Sequence, residues 1–260
     1  MRLLVSMEGG VPGSAINVLG VIPARFKSSR FPGKPLAEIN GIPMIKRTYN
    51  QANKSNKLSD LIVATDDSRI EEYCDSESIP VVMTSIDCLT GTDRLAEVAT
   101  MNSYSDYDLY INIQGDEPVI DPEVISRLVS EYEEFGDRYA AYNLYKIIDD
   151  EDEINSDTII KVIVNADDEL MYMSRLPIPF SKSTQSPSFK QQVPAYGYTK
   201  PALMTFSEHE KTLNEKFEDI ELLRFIDLGM KIKMCKTNAD TISVDIPEDI
   251  IKVEKHLNHI

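Results

Sequence analysis

The chain has 260 residues, 42% of them hydrophobic, which is enough to bury the core of one large domain. Its formal net charge of −16 opposes nucleic acid and anionic membranes, and so argues against both as partners. The three cysteines and three histidines show no metal-ligand spacing, which argues against zinc or a disulfide framework and indicates a cytoplasmic protein. Residues 1–17 do not resemble a signal peptide, and we interpret them as a leader, expected to be flexible, before a single domain at 18–260.

Apolar runs alternate with helical patterns through the first half of the chain. Strands are predicted at 18–22, 61–64, 81–83 and 109–113, and helices at 44–55, 68–78 and 92–101. Another helix is predicted to begin at Asp121, whose side chain is placed to cap it, with Pro122 at the first helical position. This alternation is typical of an α/β fold, in which helices cover both faces of a mostly parallel sheet and ligands bind at the carboxyl ends of the strands.

The loop after the first predicted strand is rich in cations. Within ten residues it carries four basic side chains, two hydroxyls and a glycine: Arg25, Lys27, Arg30 and Lys34, then Ser28, Ser29 and Gly33. Cations, hydroxyls and exposed backbone N–H groups are the groups that bind phosphates. A solvated basic loop is the alternative, but such a cluster in an acidic chain favours a polyphosphate site.

Two further segments carry polar residues, one at the start of a predicted helix and one after a predicted strand. Thr90, Gly91 and Arg94 lie at the start of the predicted helix 92–101, where they offer hydrogen bonds to a base or ribose. An ordinary helix cap explains this segment equally well. Asp66 and Asp67 follow the strand 61–64, and we assign them a structural role.

Asp116 follows Gln114 and Gly115 directly after the strand 109–113. A carboxylate at this edge of a parallel sheet is placed to hold a divalent cation between protein and phosphates, because Mg²⁺ commonly takes one or two protein carboxylates. A helix cap or turn is the alternative interpretation. With a phosphate loop in the same chain, we favour the metal.

Asp245 ends a β-branched run near the C-terminus and is a candidate second metal ligand, although a helix N-cap explains it equally well. Glu248 and Asp249 fit the first turn of a final helix at 248–257, where the helix dipole favours acidic residues. After residue 147 the strands become shorter, at 160–165, 170–173 and 195–198. A Ser/Pro/Gln-rich segment, 179–194, is expected to contain a mobile loop, so this half predicts a smaller strand-rich lobe.

Taken in order, these motifs resemble the 3-deoxy-manno-octulosonate (Kdo) cytidylyltransferase family, the CMP-Kdo synthetases. The resemblance covers about residues 18–257. The matching segments include Arg-Phe-x-Ser-Ser-Arg-x-Pro-Gly-Lys-Pro-Leu, Val-Ala-Thr-Asp, Gly-Thr-Asp-Arg-Leu-Ala-Glu, Gln-Gly-Asp-Glu-Pro, Ser-Arg-x-x-Ile-Pro, Tyr-Gly-Tyr and Val-Asp-x-Pro-Glu-Asp.

The resemblance implies a nucleotide-diphospho-sugar transferase-like fold, a homodimer and a magnesium-dependent step of lipopolysaccharide biosynthesis. That step couples CTP to an ulosonic acid and releases pyrophosphate. Position by position, it implies Arg25, Lys34 and Asp116 in catalysis and Asp116 with Asp245 at the metal. It places Arg25, Ser28, Ser29, Lys34, Thr90, Gly91, Arg94 and Gln114 at the nucleotide, and Lys161, Arg175, Gln192, Tyr196 and Glu221 at the acceptor. No covalent nucleophile is evident, and the sequence names no general base.

The departures from the family fall on the acceptor side. Gln192 stands where the family usually carries histidine, Pro194 where it carries glycine, and Leu222 where it carries glutamine. The nucleotide-facing motifs are nearly intact. The sequence therefore leaves the acceptor open between Kdo and another anionic acid, such as an amino-ulosonic acid, a nine-carbon ulosonic acid or a phosphonate. A catalytically dead nucleotide-binding regulator is the remaining alternative.

Overall fold

The computed structural model describes residues 16–239 and 241–259, so nearly all of the predicted leader lies outside the described residues. The strands are β1 Val18–Ala24, β2 Glu38–Ile39, β3 Ile42–Pro43, β4 Asp60–Thr65, β5 Val81–Met83, β6 Leu109–Ile113, β7 Ala141–Ile148, β8 Lys161–Val164, β9 Leu170–Ser174, β10 Phe189–Tyr198 and β11 Ile232–Lys236. The helices are α1 Met44–Ala52, α2 Ser68–Ser76, α3 Gly91–Thr100, α4 Pro122–Phe135, α5 Glu151–Asn155, α6 Lys200–Glu208, α7 Leu213–Glu218, α8 Leu222–Asp227 and α9 Asp249–Leu257. None of the helices in these two ranges is long and apolar enough to cross a membrane.

One large mixed sheet organises the chain. Its main path runs β11-β7-β10-β6-β1-β4-β5, and a small β2–β3 hairpin stands apart. β1 pairs in parallel with β4 and β6, and β4 in parallel with β5. β10 is antiparallel to both β6 and β7, while β8 and β9 form an antiparallel extension on β10. The predicted mostly parallel sheet with a smaller strand-rich region is confirmed.

Strand β1 shows why the sheet is covered on both faces. Val18 and Ile22 are fully buried in one apolar cluster, together with residues of α1, α2 and α4. Leu19 and Val21 are fully buried in a second cluster, together with residues of α3, α6 and α8. Alternate side chains of a strand point to opposite faces, so one continuous apolar run fills two cores. Burial of each such side chain stabilises the folded state by about 1.5–3 kcal/mol.

The parallel strands bring three loops to one edge of the sheet. β1, β4 and β6 all end there, and the segments that follow them carry the basic loop, Asp66 and Asp116. Gly115 is required at the end of β6, because a Cβ there would lie 2.9 Å from the Pro23 carbonyl oxygen. The C-terminal segment closes over this edge, where Val244 packs with Val253 of α9 in a third apolar cluster.

The predicted strands at 18–22, 61–64, 81–83 and 109–113 are confirmed, as is the helix after Asp121. The expected loop at 179–194 is wrong in its last part, because β10 begins at Phe189 and pairs with β7 from that residue onward. Sequence reasoning missed β7, β11 and the helices α6, α7 and α8.

Candidate active site

A cavity of about 460 Å³ opens at the carboxyl edge of β1 and β6, beside the start of α3. Seven of the eight residues predicted to bind nucleotide line it: Arg25, Ser28, Lys34, Thr90, Gly91, Arg94 and Gln114. Ser29 lies instead in an adjoining cavity formed by the basic loop and Arg69. Arg30 and Lys211 also line the first cavity, and the sequence motifs gave no reason to select Lys211. We call this space the nucleotide cavity.

Lys34 connects three segments of the nucleotide cavity. It begins a short 3₁₀ turn after Gly33, whose φ of 72° suits glycine. Its Nζ lies 2.8 Å from Asp116 Oδ2 and donates a second hydrogen bond of 2.9 Å to the Val244 carbonyl oxygen. The Val244 N–H in turn donates to the Asp116 carbonyl oxygen at 2.9 Å. Lys34 therefore holds the basic loop, the end of β6 and the C-terminal segment together.

Asp116 and Asp245 line the same cavity, as the predicted metal pair requires. The alternative cap role for Asp245 does not hold: Glu248 is the N-cap of α9, and Asp249 Oδ2 accepts from the Asp245 and Ile246 N–H groups. The Asp245 carboxylate is half exposed, with one Arg30 nitrogen at 3.8 Å.

These two carboxylates fit Mg²⁺ with a substrate. Within residues 16–239 and 241–259 there is no group of three or more His, Cys, Asp or Glu side chains that makes a protein-only metal cage. Mg²⁺ does not need one, because it commonly binds one or two carboxylates and completes its shell with phosphate oxygens and water. The donor set suits a cation that arrives with a polyphosphate.

Thr90 and Arg94 also have structural roles. Thr90 is the N-cap of α3 in a capping box with Asp93, so the cap interpretation describes its side chain. Arg94 is 2% exposed; its guanidinium contacts Thr84 Oγ1 and lies 3.2 Å from Asp66 Oδ2. Both residues shape the wall of the nucleotide cavity, and Asp66 has the structural role assigned to it.

A second cavity of about 330 Å³ adjoins the first, and we call it the acceptor cavity. Five residues line both cavities: Gln114, Asp116, Asp219, Glu221 and Asp245. Of the predicted acceptor residues, Arg175, Gln192, Tyr196 and Glu221 line the acceptor cavity. Lys161 does not: it is fully buried, and its Nζ donates to the carbonyl oxygens of Ser156 at 2.6 Å and Ile159 at 2.5 Å. Its ammonium is engaged by backbone rather than presented to a ligand.

The wall of the acceptor cavity is held by specific contacts. The Arg175 guanidinium donates to the backbone carbonyl oxygens of Glu218 at 2.6 Å, Asp157 at 3.0 Å and Asp219 at 3.2 Å. Glu221 is hydrogen-bonded to the Thr92 hydroxyl, and burial raises the pKa of this carboxyl. Burial also raises the pKa of the Tyr196 phenol, which therefore stays protonated near neutral pH.

Glu117 is a site residue that sequence reasoning missed. It is 1% exposed and lines the acceptor cavity next to Asp116. Ser243 donates to its Oε1, while its Oε2 is buried without a hydrogen-bond partner among the described residues. Burial raises the pKa of this carboxyl to about 8, with a smaller contribution from the negative charges of Asp116 and Asp245. The Gln-Gly-Asp-Glu-Pro motif named Glu117, but only its burial distinguishes it from a surface glutamate.

The two cavities differ in charge. Five cationic side chains line the nucleotide cavity, namely Arg25, Arg30, Lys34, Arg94 and Lys211, beside the four carboxyl groups that it shares with the acceptor cavity. Five carboxyl groups line the acceptor cavity, namely Asp116, Glu117, Asp219, Glu221 and Asp245, and Arg175 is its one cation among the described residues. A cationic cavity at the carboxyl edge of a mostly parallel sheet, beside paired carboxylates and a second cavity, is the arrangement expected of a nucleotidyltransferase.

Comparison with known proteins narrows that class. The family model for cytidylyltransferases matches residues 19–233, and the chain belongs to this family. A relative from Shewanella pealeana is 40% identical over 93% of this chain and 99% of its own length. A relative from Shewanella piezotolerans is 38% identical over the same shares. Both are named 8-amino-3,8-dideoxy-manno-octulosonate cytidylyltransferase.

Solved structures agree with this assignment. The structure of a CMP:2-keto-3-deoxy-manno-octonic acid synthetase complexed with CTP is 33% identical, with a TM-score of 0.87 over 94% of this chain and 99% of the other. The 4-diphosphocytidyl-2C-methyl-D-erythritol synthase of Anaerococcus prevotii is 14% identical with a TM-score of 0.61, and shares the fold alone. The resemblance to CMP-Kdo synthetases seen in the sequence is confirmed.

Proposed function

We propose that this enzyme transfers the cytidylyl group of CTP to 8-amino-3,8-dideoxy-manno-octulosonate, with Mg²⁺, and releases pyrophosphate. The observation that carries the proposal is the shared wall of the two cavities, because it sets a cationic polyphosphate site directly against an acidic acceptor site. Relatives named for this amino-substituted sugar acid, at 38–40% identity over almost their whole length, support the choice of acceptor.

The reaction needs one displacement at phosphorus. A hydroxyl oxygen of the acceptor forms a bond to the α-phosphorus, the bond from that phosphorus to the pyrophosphate oxygen breaks, and the hydroxyl proton passes to solvent or a neighbouring base. Arg25 and Lys34 hold the phosphates and offset their charge, while the cavity walls orient the acceptor. Asp116 and Asp245 would hold Mg²⁺, which would supply further neutralisation of the phosphate charge when bound.

Kdo itself is the second candidate acceptor. The solved CMP-Kdo synthetase, which is 33% identical and similar in structure over 94% of this chain, favours it. Kdo and its 8-amino relative differ at one substituent, so a cavity that accepts one has the size for the other. The two candidates therefore differ in preference for that substituent and share the reaction.

Pyrophosphate release tests the proposal. The purified enzyme is assayed with CTP, ATP, GTP or UTP against the 8-amino acid, Kdo, a nine-carbon ulosonic acid and a small phosphonate. We expect release with CTP and the 8-amino acid, at a higher kcat/KM than with Kdo. Binding of CTP without release with any acid would indicate a nucleotide-binding regulator instead. A higher kcat/KM for Kdo would make Kdo the acceptor.

A homodimer is part of the proposal. Several large apolar side chains are exposed on β9, on the segment after it and on α7: Met171, Leu176, Phe180, Leu213 and Phe217. Such an exposed apolar group is typical of a subunit interface. We also propose a cytoplasmic location, which the three unpaired cysteines support.

A further inference from the structure

The orientation of the Gln192 amide is fixed by a chain of hydrogen bonds. Asn143 Nδ2 donates to the carbonyl oxygens of Val193 at 2.9 Å and Ala195 at 2.7 Å, where β10 loses its regular register. Asn143 must therefore present its Oδ1 to Gln192, and Gln192 Nε2 donates to it at 3.2 Å. The same nitrogen lies 3.7 Å from the sulfur of Met173.

This chain determines what Gln192 offers to a ligand. With Nε2 committed to Asn143, the other amide atom, Oε1, is left as a hydrogen-bond acceptor. No donor among residues 16–239 and 241–259 contacts Oε1, although Gln192 is only 6% exposed. Because Gln192 lines the acceptor cavity, its oriented and unpartnered Oε1 is available to accept a hydrogen bond from a ligand in that cavity. Such a group selects a ligand that carries an N–H or O–H donor.

Resting on the function proposed above, we infer that Gln192 is a specificity-determining residue, whose Oε1 accepts a hydrogen bond from the ammonium group of the 8-amino acceptor. The charge of the cavity supports this choice of donor. Its one cation among the described residues, Arg175, already donates to three backbone carbonyl oxygens. Even with Asp116 and Asp245 neutralised by a metal, and with Glu117 and Glu221 protonated, the Asp219 carboxylate still lines the cavity and favours a positive substituent.

A histidine in place of Gln192 shows what the neutral amide provides. A histidine there becomes a cation when protonated, and a cation repels an ammonium group and accepts no hydrogen bond from it. Glutamine stays neutral and keeps an acceptor at every pH. A hydroxyl substituent can also donate to Oε1, but a neutral hydrogen bond is about half as strong as one from an ammonium group.

The test compares the kcat/KM of the two acids at saturating CTP in three variants. Gln192→Met keeps the length of the side chain but removes the amide, and Gln192→His replaces the neutral amide with an imidazole that can become a cation. Gln191→Met is the matched control, because the neighbouring strand residue is not among those that line the acceptor cavity. CTP affinity and the melting temperature of each variant report on folding.

Gln192→Met is expected to lower kcat/KM for the 8-amino acid by about ten- to a hundredfold, or about 1.4–2.8 kcal/mol, and for Kdo by less than about fivefold. Gln192→His is expected to reduce the ratio of the two efficiencies by about tenfold or more. Gln191→Met should leave the ratio unchanged. Equal losses on both acids, with CTP affinity retained, would overturn the role of Gln192 while leaving the proposed function intact.

A measurement on the unaltered enzyme covers the case in which a variant does not fold. Three acids that carry an amino group, a hydroxyl or only hydrogen at carbon 8 are compared as acceptors. We expect kcat/KM to fall in that order. The hydroxyl offers Gln192 Oε1 a donor without a charge, and hydrogen offers it no donor. An acid without a substituent that performs as well as the 8-amino acid would overturn the inference. If the enzyme uses none of the three, the proposed function fails, and the inference fails with it.

Discussion

Glu117→Gln offers a test of the electrostatics of the acceptor cavity in the protein without metal. The carboxyl of Glu117 is 1% exposed and its Oε2 has no hydrogen-bond partner among the described residues, so the negative form is poorly solvated. Burial therefore raises its pKa from 4.5 to about 8. Glutamine keeps an oxygen for the Ser243 hydroxyl but never carries a charge.

The sign and size of the effect follow from proton linkage. Because the pKa is higher in the folded protein, the folded state binds more protons than the unfolded state between about pH 4.5 and pH 8. The contribution of Glu117 to stability is therefore fully present below pH 4.5 and is lost as the pH rises through about 8. At about 1.36 kcal/mol per pKa unit, the full loss is on the order of 5 kcal/mol.

The assay is urea denaturation at intervals between about pH 5 and pH 8.5, with a chelator present, since a cation at Asp116 would change the field at Glu117. Near pH 5 the two proteins carry the same charge here and should have similar free energies of unfolding. At pH 8.5 the Glu117→Gln variant should be more stable by about 3–5 kcal/mol. Glu134→Gln, at an exposed position, controls for the loss of one negative charge. If the free energy of unfolding depends on pH in the same way in the unaltered protein and in Glu117→Gln, the reasoning is refuted.

Asp245→Asn should leave the melting temperature almost unchanged but lower turnover by orders of magnitude at saturating Mg²⁺; near-normal turnover would exclude Asp245 as a metal ligand. Lys34→Ala should weaken CTP binding by about ten- to a hundredfold and CMP binding less, measured by calorimetry, because the lost contact is to phosphate. Arg224→Met should cost about 3–5 kcal/mol of stability in denaturant, since it leaves the buried Glu215 carboxylate without the two 2.7 Å bonds that Arg224 gives it. Phe217→Glu should shift a dimer to monomer in analytical ultracentrifugation, and an unchanged mass would place any interface elsewhere.

The first half of the fold follows from its sequence because local pattern and tertiary role agree there. β1 and β6 are mostly apolar runs, with Asn112 the polar exception in β6; each is followed by a polar residue and is buried on both faces. The helices α2 and α3 between them, and α4 after β6, are amphipathic and begin at recognisable caps, namely Asp67, Thr90 and Asp121.

The second half resists prediction because tertiary contacts override its local signals. The strand β10 contains Pro194, which argues against a central strand. The structure accommodates it where the pairing of β10 with β7 shifts register between Val193 and Tyr196. The short helices α7 and α8 depend on the buried pair of Glu215 and Arg224, which lie nine residues apart. Neither contact has a periodic signature.

The same division explains the candidate site. The nucleotide-side residues lie in short segments directly after strands, so the position of each in the sequence also gives its position at the sheet edge. The acceptor side is assembled from β10, the segment after β9, and the turn between α7 and α8, whose packing brings Gln192, Arg175 and Glu221 to one cavity. Lys161 shows that a position matched to the family motif does not give the direction of the side chain, because its ammonium donates to backbone carbonyl oxygens.

The division also bears on how such an enzyme changes its acceptor. The loop that carries Lys34 is bonded to Asp116 and to the Val244 carbonyl oxygen, so a change there disturbs the nucleotide cavity, the Asp116 carboxylate and the C-terminal segment together. The Gln192 side-chain amide donates to Asn143 and lies near the sulfur of Met173, and neither of these residues lines the nucleotide cavity. A substitution at this position can therefore alter the group offered to the acceptor at little cost to CTP binding. On this argument, a single side chain of β10 can change the acceptor preference of this enzyme while the loop that carries Lys34 is left unchanged.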